Sequence, residues 1–154
     1  MIRLVVSISF LFSAMAFAGK VVSIDEKLAR ISLESDNCFE RAVSTLDMNQ
    51  CGGIKLREAD SLLNQVYQAR VSSLKAQAVE EKDGDELSKI GEETLKRLRA
   101  AQKAWIVFRD ADCLLQGAEM LHGSGEGTII SGCLADKTFK RVKEIIPSSP
   151  EDAQ

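Results

Sequence analysis

Hydrophobic positions recur at helical spacing along most of the chain, and no stretch shows the strict alternation that is typical of a half-buried strand. The longest helical pattern follows Ser44, a residue suited to a helix N-cap, and runs over about 45–80. A second long pattern begins near 85 or 92 and runs to about 120, and a third covers about 128–146 before Pro147 ends it. The pattern predicts an all-α protein: a long antiparallel helical hairpin with a third, C-terminal helix.

Polar residues and glycines predict where these helices begin, bend and end. Residues Ser23 to Glu26 form a capping box, which predicts a short N-terminal helix ending near Leu33. Residues Ser35 to Asn37 are expected to break it and to leave a second short helical turn. Gly52 and Gly53 are expected to start or bend the long helix, because adjacent glycines cost about 1 kcal/mol each there relative to alanine. Residues 83–85, Asp-Gly-Asp, predict the turn at the tip of the hairpin.

The first 18 residues are typical of a secretory signal peptide. Arg3 supplies the positive charge, an apolar run follows, and residues 16–18 (Ala-Phe-Ala) form a small-x-small cleavage site. A retained amphipathic anchor is the alternative. We therefore expect a signal peptide over 1–18, a single helical domain over 19–147 and a disordered tail over 148–154. Cleavage near Gly19 predicts a periplasmic or secreted protein with no membrane span.

Composition and charge narrow the range of partners. The whole chain of 154 residues carries a net charge of −3; without Arg3 it has 19 basic and 23 acidic residues, a net charge of −4. This balance argues against nucleic acid as a partner, because phosphate binding needs a basic surface. It is compatible with a basic protein partner.

Four cysteines predict two disulfides, because an even number in an exported chain is typical of a disulfide framework. Four cysteines allow three connectivities. We favour Cys38–Cys51 and Cys113–Cys133, since each pair joins sequence neighbours across a turn signal. The spacing matches no zinc pattern, and one histidine cannot complete a set of zinc ligands, so no metal is expected.

Catalytic patterns are weak in this sequence. His122 is the single histidine, and no nearby serine or cysteine motif would use it as a base. Asp110 and Asp112 are two positions apart, so on a helix they point to different sides and cannot act as a carboxylate pair. We therefore expect a protein that is not an enzyme and that binds no cofactor.

A glycine-rich loop before the last helix is the best candidate for contact with a partner. Its glycines allow another molecule to approach the backbone closely, and the favoured second disulfide would tether both of its ends. A plain connection between helices is the alternative. The candidate residues are His122, Gly123, Ser124, Gly125 and Glu126.

Polar residues also lie within the helical stripes, where each needs a partner if it is buried, because an unpaired buried polar group costs roughly 1–3 kcal/mol. An interhelical polar network that fixes the register of the hairpin is the favoured interpretation, and a polar binding surface is the alternative. The predicted network consists of Asp60, Asn64, Tyr67, Gln102, Trp105, Arg109, Thr138 and Arg141.

Several separate pieces of the chain resemble the LprI-like lysozyme-inhibitor family. The pieces are Cys38, Cys51, ADSLLNQVY over 59–67, AQKAWIVFRD over 101–110, Cys113, Cys133, Thr138 and Arg141. Their order and spacing cover roughly 38–146, most of the predicted mature chain. The resemblance implies a small disulfide-bonded helical protein of the bacterial envelope.

The activity that the resemblance implies is binding and inhibition of lysozyme or a related peptidoglycan hydrolase. Fold carries over within a family more safely than function does. Two alternatives therefore stay open: an immunity-type protein that protects the envelope from a different protein target, and a scaffolding helical protein without an enzyme target.

Overall fold

The computed structural model describes residues 22–80 and 86–146. Its helices are α1 (Ile24–Glu40), α2 (Thr45–Glu80), α3 (Glu86–Gly117) and α4 (Glu126–Ile145), with a 3₁₀ turn over Ala118–Met120 between α3 and α4. No strand is present in these two ranges, and the all-α prediction is confirmed. The predicted signal peptide, the tip of the hairpin at 83–85 and the C-terminal tail lie outside the described residues.

The capping box predicted for the first helix is present. The Ser23 hydroxyl accepts a hydrogen bond from the Glu26 backbone N–H at 3.1 Å, and the Glu26 carboxylate accepts one from the Ser23 N–H at 2.8 Å. The predicted break at Ser35 to Asn37 is wrong, because α1 continues through these residues to Glu40. Their helix propensities are lower than that of alanine by only tenths of a kcal/mol each. Ser35 is buried in the bundle, so packing outweighs this local preference.

The long helix α2 begins at a second reciprocal cap and is continuous through its two glycines. The Ser44 hydroxyl accepts from the Asp47 N–H at 3.2 Å, and the Asp47 carboxylate accepts from the Ser44 N–H at 3.0 Å. The helix therefore starts at Thr45, as the N-cap at Ser44 predicts, and the alternative start at the two glycines is wrong. Gly52 is buried where α2 meets α4: a Cβ atom there would lie 2.2 Å from the Ser131 Oγ.

Long-range contacts set the direction of each helix. Gly91 lies beside Ala78 and Arg109 reaches Asp60, so the residue numbers of α3 and α2 run in opposite directions. Lys55 pairs with Asp136 on α4, and Thr138, farther along α4, lies beside Asp60, so α4 runs parallel to α2. The hairpin of α2 and α3 is thus antiparallel, and α4 packs against both of its arms.

The hydrophobic core lies where α1, α2 and α4 meet. Burying one such aliphatic side chain contributes roughly 1.5–3 kcal/mol, so this cluster is a main source of stability. Its buried members are Leu28, Ile31, Leu62, Leu63, Val142 and Ile145, and the half-buried Tyr67, Trp105 and Phe139 pack against it.

Two disulfides link neighbouring helices, with the predicted connectivity. Cys38–Cys51 joins the end of α1 to α2, and Cys113–Cys133 joins α3 to α4. Disulfides persist in oxidising compartments, so the pairs indicate an extracytoplasmic protein. None of the helices within 22–80 and 86–146 is both long and apolar enough to cross a bilayer.

Candidate partner-binding loop and its polar support

The loop between the 3₁₀ turn and α4 has a defined backbone conformation. The Gly123 N–H donates to the Met120 carbonyl at 2.7 Å, and the Gly123 carbonyl accepts from the Glu126 N–H at 3.2 Å. His122 has a φ of 61°, in the left-handed region that histidine enters more readily than most residues. A Cβ atom at Gly123 would come within 2.9 Å of the Met120 carbonyl oxygen, so this tight turn requires glycine.

A side chain from α2 holds the loop against the bundle. The Asn49 side-chain amide donates to the Ser124 carbonyl at 3.2 Å, and the Thr128 hydroxyl donates to the Asn49 amide oxygen. The Glu126 carboxylate accepts from the His122 N–H at 3.0 Å and closes the loop internally. Sequence reasoning missed Asn49 because it lies about 75 residues from its partners and belongs to no local motif.

The outer part of the loop is available for contact. His122, Gly123 and Ser124 are exposed, whereas Gly125 and Glu126 are half-buried. The exposed Met120 and Leu121 precede them and add apolar surface. The described geometry thus presents a hydroxyl, a histidine ring and little bulk on a fixed backbone.

The guanidinium of Arg109 joins three helices. It is 9 % exposed, and its Nη1 donates to the Asp60 carboxylate at 2.7 Å and to the Thr138 hydroxyl at 2.9 Å. Its Nε donates to Asp110 at 2.9 Å. The Thr138 hydroxyl donates in turn to the Leu134 carbonyl at 2.8 Å. Charge-assisted bonds of this kind are about twice as strong as neutral ones, so Arg109 fixes α2, α3 and α4 relative to one another.

A second arginine completes the arrangement around the tryptophan ring. The guanidinium carbons of Arg109 and Arg141 lie 5.0 and 5.6 Å from the Trp105 ring, within the range of cation–π attraction. The Arg141 Nε donates to the buried Gln102 amide oxygen at 3.0 Å, and its Nη1 donates to Glu144 at 2.9 Å. Six of the eight residues predicted for the network therefore lie together.

Two residues of the predicted network lie elsewhere. Asn64 is exposed and lines an open groove on α2 together with Asp60. Tyr67 is half-buried and packs against the hydrophobic core. Both share the helical stripe of Asp60.

Ion pairs near the second disulfide perturb one carboxyl group. The Lys137 ammonium bonds the Asp112 carboxylate at 2.9 Å, as does the Gln116 side-chain amide at 2.9 Å. These hydrogen bonds, with Lys137 the larger cause, lower the pKa of Asp112 below its usual range.

In the part of the chain that the structure describes, no cluster of three or more histidine, cysteine or acidic side chains could hold a metal ion.

The fold and the site define a class of protein: a small helical bundle with two disulfides, a buried arginine network and an ordered glycine loop. The chain belongs to the LprI family, whose model is described as "Lysozyme inhibitor LprI" and matches residues 36–145. The chain is also 40% identical over 105 residues to an uncharacterized protein of Rhizobium meliloti (strain 1021), covering 68% of this chain and 73% of that protein. No solved structure matches the chain.

Proposed function

We propose that the protein is exported to the bacterial envelope, where it binds and inhibits lysozyme or a related peptidoglycan hydrolase. Membership of the LprI family, matched over 36–145, is the observation that carries this proposal. The family is described by inhibition rather than by catalysis, which also supports a protein that binds a target instead of transforming a substrate. The partner in this proposal is therefore another protein.

The loop over 122–126 is the proposed contact. Lysozyme cleaves glycosidic bonds with two carboxyl groups in a cleft, so an inhibitor needs a slim segment that offers hydrogen-bond donors to them. Ser124 supplies an exposed hydroxyl, and the neighbouring Gly123 adds no side-chain bulk. The bonds from Asn49 and Glu126 hold this segment in one conformation, which lowers the entropy lost on binding.

Charge and export fit the same target. The predicted mature chain, without Arg3, carries a net charge of −4, which would speed encounter with a basic lysozyme more than it would raise the final affinity. Cleavage near Gly19 would place the protein in the periplasm or outside the cell. The two disulfides support this location, because they form in oxidising compartments.

A single substitution tests the contact. Ser124→Trp adds bulk at the tip of the loop, and Ser72→Trp adds the same bulk at an exposed serine far away on α2. We expect Ser124→Trp to weaken binding to C-type lysozyme by at least about 30-fold, the effect of losing a binding hot spot. Ser72→Trp should bind like the parent protein. Isothermal titration calorimetry measures both affinities, and circular dichroism melting checks that both variants are folded.

Two results would count against the proposal in different ways. If Ser124→Trp binds lysozyme as tightly as the parent, inhibition stands but the loop is not the contact. If the parent itself does not bind, the target is a different protein or the chain is a scaffold. A rise in melting temperature with envelope extract, followed by identification of the bound protein, distinguishes those two alternatives.

A further inference from the structure

The outer face of α3 is apolar and exposed. Its residues recur at the three- and four-residue spacing of a coiled-coil seam, over four turns of the helix. Val107, Phe108, Leu114 and Leu115 are 66%, 59%, 59% and 71% exposed. We call this surface the α3 stripe. It consists of Ala104, Val107, Phe108, Ala111, Leu114 and Leu115 of α3 together with Ala118, the first residue of the following 3₁₀ turn, all exposed.

Over 102–115, α3 buries two polar side chains and exposes several apolar ones, unlike an ordinary surface helix. A helix on the surface of a globular protein usually turns its apolar side inward and its polar side to water. Here Gln102 and Arg109 are buried, while the α3 stripe faces away from the bundle. From these exposed fractions the stripe presents roughly 500 Å² of apolar surface, as large as the largest patch on a typical monomer. Such a patch indicates an interaction surface.

We propose that the α3 stripe pairs with the α3 stripe of a second copy, in an antiparallel arrangement with the two-fold axis at Ala111. A two-fold interface requires a surface that is complementary to itself. Residues equally far from Ala111 meet across such an axis: Ala104 meets Ala118, Val107 meets Leu115, and Phe108 meets Leu114. Each pair is apolar, and small residues at the centre and at both ends allow the helices to approach closely.

The charged residues beside the stripe allow this approach. Asp110 and Asp112 flank it on opposite sides, where a second copy would bring like charges together. Each carboxylate already has a partner within its own chain: Arg109 for Asp110 and Lys137 for Asp112, both at 2.9 Å. The Lys137 ammonium also lies over the Phe108 ring, 5.2 Å from its centroid. The apolar pairing therefore leaves neither Asp110 nor Asp112 without a partner.

The area is sufficient for a reversible dimer. Two copies of the stripe would bury about 1,000 Å² in total, the lower limit for a specific interface. We therefore expect a dissociation constant in the micromolar range. This inference does not rest on the proposed function, because the loop over 122–126 is separate from the stripe.

Sedimentation equilibrium of the mature protein over about 2–200 µM tests the dimer. Leu115→Lys places a charge in the stripe twice per dimer and should raise the dissociation constant by at least about 30-fold. Leu33→Lys is the matched control: Leu33 is an exposed leucine on α1, 61% exposed, and its replacement should leave the constant unchanged. A monomer throughout the range, or a dimer that Leu115→Lys does not weaken, would overturn the proposal.

A cross-link tests the axis itself. A residue on a two-fold axis meets its own copy, so Ala111→Cys should form an intermolecular disulfide on mild oxidation. Ala29→Cys, at an exposed alanine on α1, should remain monomeric under the same conditions. Peptide mapping verifies that both native disulfides are intact. Equal cross-linking of the two variants would contradict the assignment. So would a protein that stays monomeric and instead binds phosphatidylglycerol vesicles through Leu115.

Discussion

Replacing Gly52 with alanine should destabilise the protein, although alanine is the better helix former. The added Cβ atom would lie 2.2 Å from the Ser131 Oγ and 3.3 Å from the Ser131 Cβ on α4. If the hydroxyl rotates away, it loses its bond to the Thr128 carbonyl, worth about 1 kcal/mol. Overpacking adds about 1–3 kcal/mol, and helix propensity returns about 1 kcal/mol. The net expectation is a loss of about 2 kcal/mol in the free energy of unfolding.

Gly53 provides the matched control for this experiment. A Cβ atom at Gly53 would meet only the Arg57 guanidinium, at an ordinary 3.6 Å, so Gly53→Ala should stabilise the protein by about 1 kcal/mol. Combining Gly52→Ala with Ser131→Ala removes the closest contact and should restore about half of the loss. Urea unfolding followed by circular dichroism measures all of these variants. If Gly52→Ala is as stable as Gly53→Ala, the close approach of α2 and α4 at this point is wrong.

Three further perturbations test the arginine network, a disulfide and an ion pair. Arg109→Met should lower the free energy of unfolding by about 2 kcal/mol in urea titrations, because two interhelical charge-assisted bonds are lost; a change below 0.5 kcal/mol (roughly the surface-mutation range) would refute the role of the network. Replacing both Cys38 and Cys51 with serine should lower it by about 3 kcal/mol, since the unfolded chain regains the entropy of the closed loop; unchanged urea midpoints would contradict this. The Lys137 hydrogen bond lowers the pKa of Asp112 in the folded protein. The stabilisation by this ion pair is therefore complete above the pKa that Asp112 has in the unfolded chain, and it is lost as the pH falls through the pKa that Asp112 has in the folded protein. The difference in melting temperature between the parent and Asp112→Asn should therefore shrink between about pH 5 and pH 2, and a difference independent of pH would exclude the ion pair as its source.

Local signals in the sequence predict the helices well, because they act between near neighbours. The capping box at Ser23 and the pairing of cysteines that are close in sequence are both found in the structure. The expected break at Ser35 to Asn37 is wrong for a related reason. It rests on small local propensities, whereas burial of Ser35 against the bundle depends on contacts that only the folded chain has.

Contacts between distant residues account for what the sequence could not predict. From the sequence, Gly52 is predicted to disturb the helix. In the structure it lies beside Ser131, and its lack of a side chain allows α2 and α4 to approach closely. Asn49 belongs to no recognisable motif, yet its side-chain amide bonds the Ser124 carbonyl and holds the loop over 122–126. The sequence predicts a polar network around Gln102 and Arg109 on one face of α3, and the structure brings Asp60 and Thr138 to Arg109. The sequence could not show that the opposite face of the same helix would be exposed in the described part of the chain.

The most direct test of the proposed function is a lysis assay with the oxidised mature protein. Increasing amounts are added to C-type lysozyme acting on bacterial cell walls, with the reduced protein and Ser124→Trp as comparisons. We expect loss of lysis at stoichiometric amounts of the oxidised protein, and little inhibition by the reduced protein or by Ser124→Trp. Undiminished lysis at a large molar excess of the oxidised protein would contradict lysozyme inhibition as the function of this chain.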